Sequence, residues 1–168
     1  MMDSTVNLLG ALGLAVADRI QASALDILHR AGETPAALVV IGYGFGLSND
    51  RLGKVLQLSH PGTVRLIDRL VADNLVERRS GSDKRSNALY LTDAGMEKRE
   101  ELLKGRLLAI RPLVESLADE ERDMLDDLLR KVLKSASDDD LGRRRICRMC
   151  DSEKCANCPI PADFKSSE

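Results

Sequence analysis

Four cysteines fall close together near the end of a 168-residue chain, spaced Cys147-x2-Cys150-x4-Cys155-x2-Cys158. Two CxxC pairs supply the four thiolates of a closed tetrahedral zinc site. Asp151, Ser152, Glu153 and Lys154 between the pairs suit the tight turn a zinc knuckle needs. Arg143, Arg144, Arg145 and Arg148 would offset the negative charge of a Zn(Cys)4 centre and favour thiolate over thiol. The expected cofactor is therefore zinc, one per chain, on Cys147, Cys150, Cys155 and Cys158, with the metal folding a segment too short for its own core. The same thiols suit reversible disulfides that report oxidants. They copy part of a plant-type iron–sulfur spacing, but the fourth Cys lies on the wrong side. A CxxC oxidoreductase is the remote enzymatic reading; it needs a βαβ setting, and these cysteines follow a helical pattern. His29 and His60 are far away in sequence and do not read as ligands of this site. No Ser/His/Asp or paired-carboxylate arrangement is recognisable, so the chain does not read as an enzyme.

The second chemical feature is basic. Residues 51–86 hold eight bases (Arg51, Lys54, Arg65, Arg69, Arg78, Arg79, Lys84 and Arg85) against four acids (Asp68, Asp73, Glu77 and Asp83). That local excess of four positive charges sits in a chain of net charge −2, which leaves −6 on the remainder. Phosphate attraction needs only such a local patch. At 100° per residue, helix 60–72 buries Thr63, Leu66, Ile67 and Leu70 and turns Pro61, Arg65, Asp68 and Ala72 outward. A recognition helix offers its N-terminal turns to the major groove, which nominates His60, Pro61, Val64 and Arg65 for base edges. Arg65 suits a guanine bidentately, Val64 a thymine methyl, and Arg69 a phosphate. The hairpin tip within wing 80–87 carries Lys84 and Arg85, with Arg85 the residue for an adjacent minor groove. Asp83 would orient Arg85 or another nearby Arg, and Arg79 completes the DNA-facing set. The competing reading is a solvated surface, or an adaptor whose winged helix binds protein.

These residues need a scaffold, and the chain is 43% hydrophobic with no Trp, two Tyr and two Phe. The core must come from Leu, Val, Ile and Ala, which suits helices. Helical periodicity runs through 5–30, weakened at Gly10 and Gly13, and resumes over 35–43 before dissolving in Gly42, Gly44 and Gly46. Ser48 caps a helix Asn49–Leu56, and Ser59 caps His60–Ala72. Leu75–Arg79 and Ala88–Leu91 read as a hairpin across Gly81-Ser82-Asp83. Thr92 caps a helix to Ile110 whose inward stripe is Met96, Leu103, Leu107 and Ile110. Pro112 breaks or kinks it, and a last helix covers 119–135 with Leu125, Leu128, Leu129, Val132 and Leu133. The fold class is mainly α with a small β-hairpin wing: a winged helix-turn-helix over 1–136, then a linker and Cys-rich tail over 137–168. The longest apolar runs, Leu8–Ala17 and Ala36–Phe45, fall short of the roughly 18–20 residues of a membrane span, and no basic leader precedes them. A cytoplasmic protein without a membrane partner is expected.

Leu58-Ser59, Thr63, Arg65 to Leu70, Leu75 to Arg79, Asp83-x-Arg85 and Leu91-Thr92-Asp93-Ala94-Gly95, in that order, closely resemble the MarR family of winged-helix transcription regulators. The resemblance covers about residues 5–136. It implies a homodimer with interlocked N- and C-terminal dimerisation helices, binding double-stranded DNA at a pseudo-palindromic operator, usually as a repressor. It also implies an effector, here an unknown small molecule, metal or oxidant, that alters the spacing of the two recognition helices. The surplus of Leu on the terminal helices is consistent with such a dimer. In one respect the chain departs from the family: the aromatic residues for a ligand cleft shrink to Tyr43 and Phe45.

Overall fold

The structure is a computed structural model that describes residues 2–44, 46–80, 87–137, 139–154 and 157–160. Its helices are α1 (Met2–Leu28), α2 (Thr34–Tyr43), α3 (Asn49–Leu56), α4 (His60–Ala72), α5 (Asp93–Ile110), α6 (Asp119–Lys134) and α7 (Asp140–Cys147). The strands are β1 (Leu47–Ser48), β2 (Val76–Ser80) and β3 (Asn87–Leu91). Apolar residues fill α2 on every face, and it is buried from Thr34 through Ile41. A helix without a polar face has to sit inside the fold. α2 accordingly lies against α3, α5 and β3. Pro35 opens it, in a first turn whose N–H groups lack intrahelical partners anyway.

The sheet is antiparallel in the order β1-β3-β2, with Leu47 opposite Leu89 and Val76 opposite Leu91. Leu47, Val76 and Leu89 are buried and join Leu52, Val55, Leu66, Ile67 and Leu70 in one core with α2. The strand β1 was not foreseen. Two residues after a glycine-rich run show no alternation, and only pairing with β3 makes them a strand.

Sequence periodicity located α1 to α6 to within a few residues, with three corrections, but α7 lies where the sequence reads as linker and tail and was missed. First, α1 begins at Met2, so Gly10 and Gly13 do not delay it. Second, α5 buries Leu102 and Leu103 while Met96 is exposed. This helix packs on α1 along one side and α2 along another, so its apolar residues do not form one stripe. Third, α1 is long and apolar enough, by length and composition alone, to cross a membrane: mean hydropathy is 1.3 over an 18-residue window. Counting uninterrupted apolar runs missed this, because Asn7 and Asp18 bound the run Leu8–Ala17 without making the helix around it polar. Pro112 falls in a 3-10 turn, Arg111–Leu113, that ends α5 as expected.

Among the described residues of α1 only Ala24 is buried, although the helix is 27 residues long. Its C-terminal half lies along α5, where Ser23 and Ile27 meet Gly105 and the Arg19 guanidinium donates to the Ala109 carbonyl at 3.5 Å. Val6, Leu8, Leu9, Leu12 and Leu14 in its first half are exposed, as are Met124, Leu128, Leu129 and Val132 on α6. Neither apolar face is covered by the described residues.

The start of α5 is fixed by a close approach. Thr92 Oγ1 accepts the Gly95 N–H at 3.0 Å, and a Cβ on Gly95 would stand 2.0 Å from the Leu75 carbonyl oxygen. Gly95→Ala therefore has to push α5 off the β2 entry. A loss of about 1–3 kcal/mol in urea unfolding is expected, as for overpacked core sites; an unchanged midpoint would contradict this packing.

Candidate nucleic-acid interface

The helix-turn-helix is α3, the turn Gln57-Leu58-Ser59, and α4. Ser48 Oγ accepts the Arg51 N–H and Ser59 Oγ accepts the Gly62 N–H, both at 3.3 Å, so each helix starts on a hydroxyl cap. Gln57 ends α3 in the left-handed region at φ 57°. The two helices touch where a Cβ on Gly53 would stand 2.6 Å from Thr63 Oγ1, and Thr63 turns that hydroxyl to the Ser59 carbonyl at 3.0 Å. Thr63, Leu66, Ile67 and Leu70 are buried. His60, Pro61, Arg65, Asp68, Arg69 and Ala72 are exposed, and Val64 is half-buried beside them. The helical period had sorted these residues onto the same two faces.

Ion pairing divides the basic residues. Asp68 on α4 takes Arg78 of β2 at 2.5 Å, tying the wing base to the helix. Glu77 takes Arg79, whose guanidinium also lies 4.5 Å from the Tyr90 ring centroid. Asp50 takes Lys54 at 2.7 Å, and Asp73 takes Arg30 at 2.9 Å. Arg69 turns its Nε to the Arg65 carbonyl at 3.4 Å. Among the described residues the Arg65 guanidinium has no hydrogen bond or ion pair. The wing tip with Asp83, Lys84 and Arg85 lies outside the described residues, as do Phe45 and Cys155.

The Cys-bearing tail folds back on its own subunit. Asp139 Oδ1 caps α7 by accepting the Gly142 N–H at 2.5 Å. The α7 helix packs against α3. Arg144 is buried and its Nε donates to Asp140 at 2.7 Å; Arg145 Nη2 donates to the Lys54 carbonyl of α3 at 3.4 Å. Arg130 of α6 donates to the Asn157 carbonyl at 2.8 Å. Leu141 and Met149 pack against the main core. The Tyr43 hydroxyl donates to the Cys150 carbonyl and accepts the Ser152 N–H at 3.0 Å. Tyr43, a residue the sequence associates with a ligand cleft, instead holds the tail.

Cys147, Cys150 and Cys158 carry thiols, not disulfides. Cys147 and Cys158 direct their sulfurs at one acceptor, the Ile160 carbonyl, at 3.8 and 3.3 Å. Burial, and then the charges of Cys150 and Cys158, push the Cys147 thiol up to about 11. The arginines do not favour its thiolate, contrary to the sequence expectation. Arg144 is taken by Asp140, Arg145 reaches the Lys54 carbonyl, and Arg148 turns to the Arg145 carbonyl at 2.6 Å. Among the described residues no three His, Cys, Asp or Glu are gathered into a metal-holding group.

A cavity of about 600 Å³ opens beside the tail, between α1 (Ile20, Ala24), the start of α2 (Pro35), Arg106 of α5, and Ile146 and Met149 of the tail. No sequence signal marks it, since its walls come from four separate segments.

A model of the MarR family matches residues 12–86, which takes in most of α1 and the elements from α2 through β2. The chain is 28% identical over 131 residues to the HTH-type transcriptional repressor MdtR of Bacillus subtilis (strain 168), covering 75% of this chain and 84% of MdtR. Wild-type MarR from E. coli, in its apo form, superposes with a TM-score of 0.61 at 27% identity, covering 74% of this chain and 96% of that one. A mutant of S. aureus MepR bound to an oligodeoxyribonucleotide superposes at 0.59 with 22% identity, covering 79% and 98%. The fold is the MarR-like winged helix-turn-helix, and these matches support a DNA-binding regulator of transcription. MarR-family members are transcriptional regulators, not enzymes.

The Arg144–Asp140 pair anchors α7, and Asp140 is the more exposed partner. Asp140→Ala removes a charge-assisted hydrogen bond worth about 1–3 kcal/mol, with solvent screening placing it toward the low end. Trypsin should cut 143–148 faster in the variant while 49–72 stays protected. Equal cleavage rates in both proteins would show that the pair does not anchor the tail.

Proposed function

We propose that the protein is a MarR-family, sequence-specific transcriptional regulator that binds a pseudo-palindromic operator as a homodimer and represses. The observation that carries this is Arg65: an exposed guanidinium without a partner among the described residues, on the outer face of a capped helix whose other face is core. His60, Pro61, Val64 and Arg65 meet base edges in the major groove, and Arg69 meets a phosphate. Lys84 and Arg85 reach the minor groove with Asp83 orienting the tip; Arg79 joins them only by giving up Glu77. Repression is supported by the likeness to a curated repressor. The uncovered apolar faces of α1 and α6 support dimerisation: a second copy buries both through one symmetric interface. The same dimer accounts for the apolarity of α1 without a membrane and is consistent with a cytoplasmic protein.

Arg65→Ala should lower the ratio of operator to random-duplex affinity by about 1–3 kcal/mol, with the operator first selected from a random pool by the wild type. Equal losses on both duplexes would reassign Arg65 to phosphate, and no loss on either would remove α4 from the groove.

For the tail we propose a zinc knuckle on Cys147, Cys150, Cys155 and Cys158, as one site per chain and a route for an effector. Its support is the four-thiol donor set and the convergence of Cys147 and Cys158 on one carbonyl. Binding releases the thiol protons to solvent, and the dication offsets the burial that holds Cys147 protonated. Protein purified without chelator should contain about one zinc per chain, and Cys150→Ser with Cys158→Ser should contain none. Stoichiometric metal in the double variant would place the ligands elsewhere. The nearness of Cys147 and Cys158 equally favours a second reading, a reversible disulfide formed when an oxidant removes two electrons and two protons. Metal-free protein whose thiols oxidise and recover would select that reading.

A further inference from the structure

The tail makes its polar contacts at positions that matter for a DNA-binding lobe. Tyr43 is the last residue of α2 and leads to α3 through residues 44–48, which include β1. Its hydroxyl is closed at both ends by the Cys150-Asp151-Ser152 turn, as donor to the Cys150 carbonyl and acceptor from the Ser152 amide. The turn is preset locally. The Cys150 N–H returns to the Cys147 carbonyl at 2.9 Å, and Asp151 accepts the Glu153 N–H at 3.1 Å. The ring is fixed from the other side by Arg99 of α5, whose guanidinium lies 4.4 Å from its centroid. Arg99 reaches the ring by crossing Gly42, where a Cβ would stand 2.2 Å from its Cδ. Among the described residues Arg99 Nε is buried without a hydrogen bond, so the ring face is its electrostatic partner. Arg145 adds a second tie, from α7 to the carbonyl of Lys54 in the last turn of α3.

We infer that Tyr43 is a positioning residue that couples the chemical state of the Cys147–Cys150 turn to the placement of α3, and through it of α4. The inference rests on the reading of the protein as a DNA-binding regulator with a thiol-bearing tail; it names the path of regulation. The physical reason is that these two hydrogen bonds are made to backbone atoms of Cys150 and Ser152. Drawing the Cys150 sulfur onto a metal ion, or adding a group to it, reorients that backbone and changes what the hydroxyl holds. Tyr43 sits on a buried helix that cannot yield alone, so the change passes to the α2–α3 connection. A coupling of this kind spans about 5- to 150-fold in affinity for known allosteric proteins.

The test compares full-length wild type with Tyr43→Phe, which keeps the ring under Arg99 and removes only the hydroxyl. The tail is altered in two ways, by one equivalent of Zn(II) against chelator and by iodoacetamide against untreated protein. Two quantities are read: affinity for the duplex selected by the wild type, and amide exchange over residues 54–58. In the wild type, either treatment should shift duplex affinity at least about fivefold and change exchange over 54–58. In Tyr43→Phe both responses should fall below about twofold, with the same zinc uptake and alkylation. A variant that responds as fully as wild type overturns the inference. A wild type whose 54–58 exchange ignores both treatments overturns it too. If no zinc is taken up, the zinc reading of the tail fails and the iodoacetamide comparison decides the clamp. If no duplex is selected, the DNA-binding reading fails and the exchange data decide it.

Discussion

The burial of α2 is the constraint from which the rest follows. Its ten residues include no charge, and eight of them, Thr34 to Ile41, are buried. Taking that surface out of water requires neighbours on all sides, which α3, α5 and β3 supply. This places the helix-turn-helix, the sheet and the long α5 around one axis. It also fixes Tyr43, at the end of α2, where the tail meets the lobe. Neither α4 nor the thiol turn is positioned by its own sequence alone; both are referred to this central helix.

Electrostatics then decides which basic residues remain available. The residues 51–86 carry an excess of cations, but half of those described are held in ion pairs. Asp68, Glu77 and Asp50 hold Arg78, Arg79 and Lys54. These exposed pairs contribute little to stability. Their effect is geometric: they keep the wing base beside α4 and leave Arg65 directed at solvent. A count of charges along the chain therefore overstates the patch and understates its focus.

The tail separates donor chemistry from environment. The spacing of the cysteines is enough to nominate a soft metal or a thiol switch. Whether a thiol there is reactive depends on surroundings the spacing does not contain: Cys147 is half-buried near two other cysteines, and the neighbouring arginines are engaged elsewhere. The upward shift of the Cys147 thiol is thus a property of the docked tail, and a dication would oppose it.

Local patterns determined much of this protein. The bounds of Asn49–Leu56 and His60–Ala72, their Ser48 and Ser59 caps and the buried quartet on α4 all follow from interactions within a turn or two, which sequence contains in full. So do the hairpin, the Thr92 cap and the break at Pro112. The tertiary structure decided whatever depends on residues distant in the chain. The strand β1 exists only because β3 lies beside it, and Met96 is exposed while Leu102 is buried because α5 serves two partners. Tyr43 meets Cys150 across more than a hundred residues, and Arg30 and Arg145 spend their donors on Asp73 and the Lys54 carbonyl, contacts no local rule assigns. Periodicity reports which face of an element is apolar; only packing determines what covers that face and which polar groups are consumed in doing so.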